Sequence, residues 1–319
     1  MKRIIFLSGI ICTTIFATVI ISCNKVKTTI EPAISNSMHN NTRGSDESII
    51  FNGIDYQIVD GMLTFSTFEQ YEHLFDVTDP NTLQDFALQT EESTAMTSYN
   101  EVQDDEERKL NFIGSIVNEQ GLIKIDVFTL LLNFDDKTIY ATRQGTAQDL
   151  INANNGNIST SVYKLSMEGQ ETIDALTEIK TRGLLCKESF AKSKSDNNFD
   201  NPLITNINNI QEVAEAKYQQ YGIYYSLMTF YEKKKPYNFY NGLYPHYHAV
   251  TTGWWQRRCS NVSGTTNETL NSAEGYGGLN ANTSWYANVR ALKHFNVTVT
   301  LLSNNSVPAG ATKVININD

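Results

Sequence analysis

The stretch HYHAVTTGWWQRRC, residues 246–259, concentrates more reactive side-chain types than any other part of the chain. On a strand, successive side chains alternate between faces, so His246 and His248 would share one side with Tyr247 on the other. Two imidazoles so placed could reach one metal ion, but a site needs a third ligand. The sequence offers only His294, Glu268 or Glu274 for it. HxH by itself is equally the polar face of a strand, and no metal is expected. Cys259 follows Arg257 and Arg258, whose charges would favour a thiolate and hence a Cys/His nucleophile pair. The competing fate of Cys259 is a disulfide with Cys186. Trp254 and Trp255 would point to opposite faces, one anchoring a core and the other near the surface. With Tyr247 and Arg257 they make a candidate ligand platform, able to stack on a sugar or anchor a protein.

Complete catalytic signatures are missing from the sequence. HExxH, G-x-S-x-G, the phosphate-binding P-loop and the dinucleotide glycine pattern do not occur. Asp196-x-Asn198-x-Asp200 opens like a calcium loop but lacks the glycine at position six and the glutamate at position twelve. The acidic run Asp104–Glu107 would fan around a helix and cannot converge on one ion. These residues point to a non-enzymatic binding or assembly module without a cofactor. The alternative is an envelope hydrolase or metalloenzyme built on His246, His248 and Cys259.

The start of the chain bears on location. Lys2 and Arg3 precede an uncharged apolar run from Ile4 to Ile21, the layout of a secretory signal peptide. Ile20-Ile21-Ser22-Cys23 resembles the lipobox of bacterial lipoproteins, which implies cleavage before Cys23 and its lipidation. Membrane attachment would then come through acyl chains such as palmitate. Asn24 is not the aspartate associated with inner-membrane retention, and no acidic surface-export cluster follows. The outer membrane, facing the periplasm, is the expected location. NEQGLIKIDVFTLLLNFDDKTIYAT (118–142) is similar to a pattern in uncharacterised Bacteroidetes-type lipoproteins, and that resemblance carries no activity with it.

The positioning elements follow from texture. Residues 1–22 read as the signal peptide and 23–48, rich in Ser, Thr, Asn and Lys, as a disordered tether. The formal charge of −10 is uneven: residues 46–185 carry 25 acidic and 8 basic side chains, residues 186–319 carry 9 and 12. Nucleic acid, which needs Lys and Arg against phosphate, is excluded as a partner. An envelope protein or a glycan is expected instead. Thirteen aromatic residues fall in the 38 between Tyr218 and Trp255. The boundaries therefore read as an acidic α+β domain at 49–185, a linker at 186–206, and an aromatic-rich domain at 207–319. The second is expected to be an all-β antiparallel sandwich or barrel.

Within the first domain, 49–65 reads as a hairpin with Asn-Gly and Asp-Gly breaks. Ser66 opens a helix carrying Phe68, Tyr71, Leu74 and Phe75. A second helix starts at Asp79-Pro80 and a third covers about 91–109. FIGSIVN, LIKIDVFTLLLNF, KTIYAT and SVYKLS read as antiparallel strands, with a short helix at 147–153. In the second domain a short helix opens 207–220, a Thr-Thr-Gly break divides 246–259, and 265–284 reads as a turn-rich loop. FNVTVTLLS and ATKVININD are the closing strands.

Overall fold

The computed structural model describes residues 46–76, 82–103, 112–168, 171–181, 188, 191, 203–207, 210–234, 247–271, 279–303 and 313–318. The signal peptide, Cys23, most of the tether, the 104–107 acidic run, Cys186, Asp196–Asp200 and His246 lie outside the described residues. The chain is rich in strands. Residues 43–319 make one compact unit.

The acidic half builds a seven-stranded sheet whose spatial order is its chain order. It opens with β1 (Glu47–Phe51), β2 (Ile54–Val59) and β3 (Met62–Phe65), an antiparallel meander. Its two turns are Asn52-Gly53 and Asp60-Gly61, all four residues at positive φ between 51° and 77°. That is the paired left-handed geometry for which Asn-Gly and Asp-Gly are suited. Four helices follow: α1 (Phe68–His73), α2 (Thr82–Glu91), α3 (Tyr99–Val102) and α4 (Phe112–Ile116). They carry the chain across to β4 (Leu122–Ile125), which pairs parallel to β3 with Thr64 opposite Lys124. The sheet is therefore mixed, not purely antiparallel. It continues through β5 (Phe128–Asn133), β6 (Thr138–Thr142), α5 (Ala147–Asn154) and β7 (Val162–Ser166), then leaves through α6 (Thr172–Thr181).

Alternation sorts this sheet into two faces. Ile123, Leu130, Leu132 and Ile139 join α1, α2 and α4 in the main core. Leu122, Leu131 and Tyr140 turn the other way and are covered by Leu150 and Ala153 of α5. Both faces being buried explains the unbroken apolar run Leu130-Leu131-Leu132 in β5. A tight turn at Asp126, φ 56°, divides β4 from β5.

Several sequence expectations are corrected here. FIGSIVN is helix α4 rather than a strand; Phe112 to Ile116 are all buried, so no polar face marks a period. The capping residue of α1 is Thr67, one later than expected. Its side chain accepts from the Gln70 amide, and the Gln70 side chain accepts from the Ser66 amide at 2.6 Å. α2 ends at Glu91, where a third helix was expected to begin. α6 carried no expectation.

The aromatic half forms two four-stranded antiparallel sheets and no closed barrel among the described residues. β8 (Leu203–Ile207), β9 (Ile210–Gln220), β10 (Tyr225–Lys234) and β13 (Leu279–Asn288) make the first, in the order β13-β10-β9-β8. β11 (Tyr247–Arg257), β12 (Ser263–Asn271), β14 (Leu292–Ser303) and β15 (Lys313–Asn318) make the second, in the order β12-β11-β14-β15. The helix expected at the start of 207–220 is strand β9. β11 runs unbroken through Thr251-Thr252-Gly253, and β12 and β13 take up most of the presumed 265–284 loop. Their Thr and Asn content signals strands with one wet face, which resembles turn composition.

Candidate binding surface

β11 positions most of the residues singled out above, and its neighbours fix which way each points. Ala249 and Thr251 are fully buried, whereas Thr252 and Trp254 are exposed. The inner face meets Phe295, Val297, Val299 and Leu301 of β14, with Tyr218, Tyr225 and Leu227 of the other sheet in the same core. Across this core the Thr251 hydroxyl donates to Thr229 at 3.4 Å, and the Trp285 indole N–H donates to the same oxygen at 3.2 Å.

Trp255 belongs to the inner face. Its ring lies 4.7 Å from that of Tyr286. On β12 the residue opposite is Gly264, where a Cβ would fall 2.6 Å from Trp255 Cε2. Gly253 plays the same part for Trp285, whose Cζ3 lies 2.5 Å from the position a Cβ would take. Two glycines thus make room for two indoles. Neither was recognised in the sequence as a tryptophan seat, because only cross-strand register reveals it.

Trp254 points the other way and is 43% exposed. It sits on an interior strand between Thr265 of β12 and Asn296 of β14. The next row toward the N-terminal end of β11 is Asn267, Thr252 and Thr298. Twelve outward positions lie between Val250 and Gln256 on β11, Ser263 and Thr269 on β12, and His294 and Thr300 on β14; none is Asp, Glu, Lys or Arg.

The proposed platform is thus not a single surface. Trp254 faces outward, Trp255 packs inside, and Arg257 lines a separate cleft. Tyr247 and His248 open β11, and their side chains lie outside the description. Among the described residues no group of three His, Cys, Asp or Glu side chains could hold a metal ion. Cys259, at φ 51°, is disulfide-bonded. Its amide donates to Glu188 Oε2 at 2.7 Å, and Arg258 Nε donates to the Glu188 carbonyl at 2.7 Å. The start of the 186–206 segment is therefore pinned to the β11–β12 turn. The Cys259 amide, then Lys293 and Arg258, hold the Glu188 carboxyl below its usual range.

The cleft has a volume of about 350 Å³ and lies between α1 and the ends of β11 and β13, lined by Glu69, Glu72, His73, Asp76, Arg257 and Asn288. Behind it is an ion network that sequence reasoning missed. Arg290, in the β13–β14 turn, pairs with Glu72 of α1 at 2.7 Å, with Glu171 at 3.3 Å and with Asp174. Arg258 lies 3.6 Å from Glu171, and the Ala291 amide donates to Glu171 at 2.8 Å. Burial pushes the Glu171 carboxyl up to about 7, helped by its hydrogen bond to Asp174 and by that neighbour's charge. For Asp174 burial acts upward too, but the Glu171 hydrogen bond and Arg290 prevail and hold it below its usual range. Arg258 and Arg290 are both matched by carboxylates, so the network reads as a structural joint.

No family model, curated protein or solved structure matches the chain. Among the described residues no helix is long and apolar enough to cross a membrane.

Proposed function

We propose that the chain is a lipid-anchored, non-enzymatic binding module of the bacterial envelope. Cys23 would carry the acyl chains at the outer membrane, on the periplasmic side. The 23–48 tether would hold the folded part off the bilayer. In this reading the two four-stranded sheets form a β-sandwich behind an α+β unit, and its outward sheet meets an envelope protein or polysaccharide.

The observation that supports a binding role is Trp254. An indole 43% exposed on an interior strand, while every other aromatic ring of the two sheets whose burial is described is buried or partly buried, is a contact residue in search of a partner. The outward positions around it hold no Asp, Glu, Lys or Arg, and Cys259 is disulfide-bonded.

Two measurements test the reading. Metabolic labelling with palmitate should mark the wild type and not Cys23→Ser, and the variant should move from the membrane to the soluble fraction. Immobilised wild-type protein should retain envelope material that Trp254→Ala does not. An unlabelled wild type, or equal retention by both proteins, overturns the corresponding half of the proposal.

A further inference from the structure

The outward face around Trp254 has a chemistry of its own. The molecule carries a net charge of −10, yet none of the twelve outward positions on β11, β12 and β14 is Asp, Glu, Lys or Arg. A partner bearing phosphate or carboxylate finds no Lys or Arg there. A cationic peptide finds no carboxylate. A protein partner of the usual kind wants an apolar patch around its anchor residue, and here the indole is ringed by hydroxyls and amides. A lipid surface wants a cationic fringe or several apolar wedges, and the face supplies one tryptophan.

The remaining chemistry is that of a sugar. Thr252, Thr265 and Asn267 are exposed on this face, and their hydroxyls and amide can donate and accept. They flank a flat ring suited to the C–H face of a pyranose. Strand geometry makes the platform long: outward rows repeat roughly every 7 Å, so four rows run roughly 20 Å. That exceeds one sugar ring and suits a chain. From this geometry we infer that the Trp254 face of the β12-β11-β14 sheet binds an uncharged polysaccharide, with Trp254 as the stacking residue and the Thr and Asn side chains reading hydroxyls. The inference rests on the binding-module reading above and names its ligand class.

The test is affinity electrophoresis of the purified full-length chain in gels containing neutral glucan, mannan, galactan or xylan, with polygalacturonate and phosphatidylcholine vesicles as contrasts. At least one neutral polymer should retard the protein. Binding should tighten with oligosaccharide length and persist in high salt, because no ionic contact is involved. Trp254→Ala should lose about tenfold or more in affinity. Thr252→Asp, which puts a charge on the same exposed face, should weaken binding with an unchanged melting temperature. No retardation by any neutral polymer overturns the inference, as does full binding by Trp254→Ala or binding to the anionic polymer or vesicles alone. Capture of an envelope protein in a Trp254-dependent way, without polysaccharide binding, overturns the ligand class and leaves the binding-module reading standing. Absence of any Trp254-dependent binding overturns both.

Discussion

At the scale of single residues, the two tryptophans of β11 are adjacent in sequence and opposite in role. Trp255 needs the space that Gly264 leaves: a methyl there would lie 2.6–2.7 Å from three atoms of the indole, in its five- and six-membered rings. The ring is also packed against Tyr286, 4.7 Å away, which restricts its room to move. Gly264→Ala should therefore overpack the site and cost about 1–3 kcal/mol, read as a lowered urea midpoint. Trp254→Ala removes an exposed ring and should change stability by about 0.5 kcal/mol or less. An unchanged midpoint for Gly264→Ala would contradict the packing described. The opposite orientation of the pair is legible from strand alternation alone. The glycine that permits it is not, because it lies nine residues further on and its meaning depends on the register of β12 with β11.

At the scale of elements, the start of α6 and the β13–β14 turn are joined by charges from four distant parts of the chain. Glu171 is almost wholly buried, and its carboxyl is raised above its ordinary value of 4.5 to about 7. The folded state therefore binds more protons than the unfolded chain between those values, and stability from this group falls as pH rises through 7. Asp174 is shifted downward, so its contribution is lost only as pH falls below the ordinary aspartate value, outside that window. Wild type should thus lose on the order of 1–3 kcal/mol between pH 5 and pH 8. Glu171→Gln, permanently neutral, should flatten that slope in urea titrations across the same range. A slope identical in both proteins would exclude Glu171 as its source. None of this was readable beforehand: Glu72, Glu171, Asp174, Arg258 and Arg290 share no spacing. The meander β1–β3 was readable, because Asn-Gly and Asp-Gly fix their turns locally. α4 was misread because a fully buried five-residue run has no polar side to betray its period.

At the scale of the whole molecule, composition changes sharply near residue 186, yet the core does not stop there. Tyr221, Ile223, Tyr224 and Val289 are buried in the same cluster as the helices of the acidic half. A chain of aromatic contacts leads across: Phe51 to Phe86 at 5.2 Å, Phe86 to Phe112 at 6.5 Å, and Phe112 to Tyr224 at 5.1 Å. The Tyr71 hydroxyl donates to the Ile223 carbonyl at 2.8 Å, and Arg290 ties the β13–β14 turn to α1. Separating the halves would expose these rings and leave buried charges unpaired, so unfolding of one should carry the other. The three tryptophans make this measurable, since Trp254, Trp255 and Trp285 all lie in the aromatic half while far-ultraviolet circular dichroism reports on the whole. Phe86→Ala, a substitution under the acidic sheet, should cost about 3–5 kcal/mol. Its effect should appear in the tryptophan fluorescence midpoint and in the circular dichroism midpoint by the same amount. A fluorescence midpoint that stays at the wild-type value, with a split circular dichroism curve, would show instead that residues 49–185 and 207–319 unfold as independent domains despite the shared core.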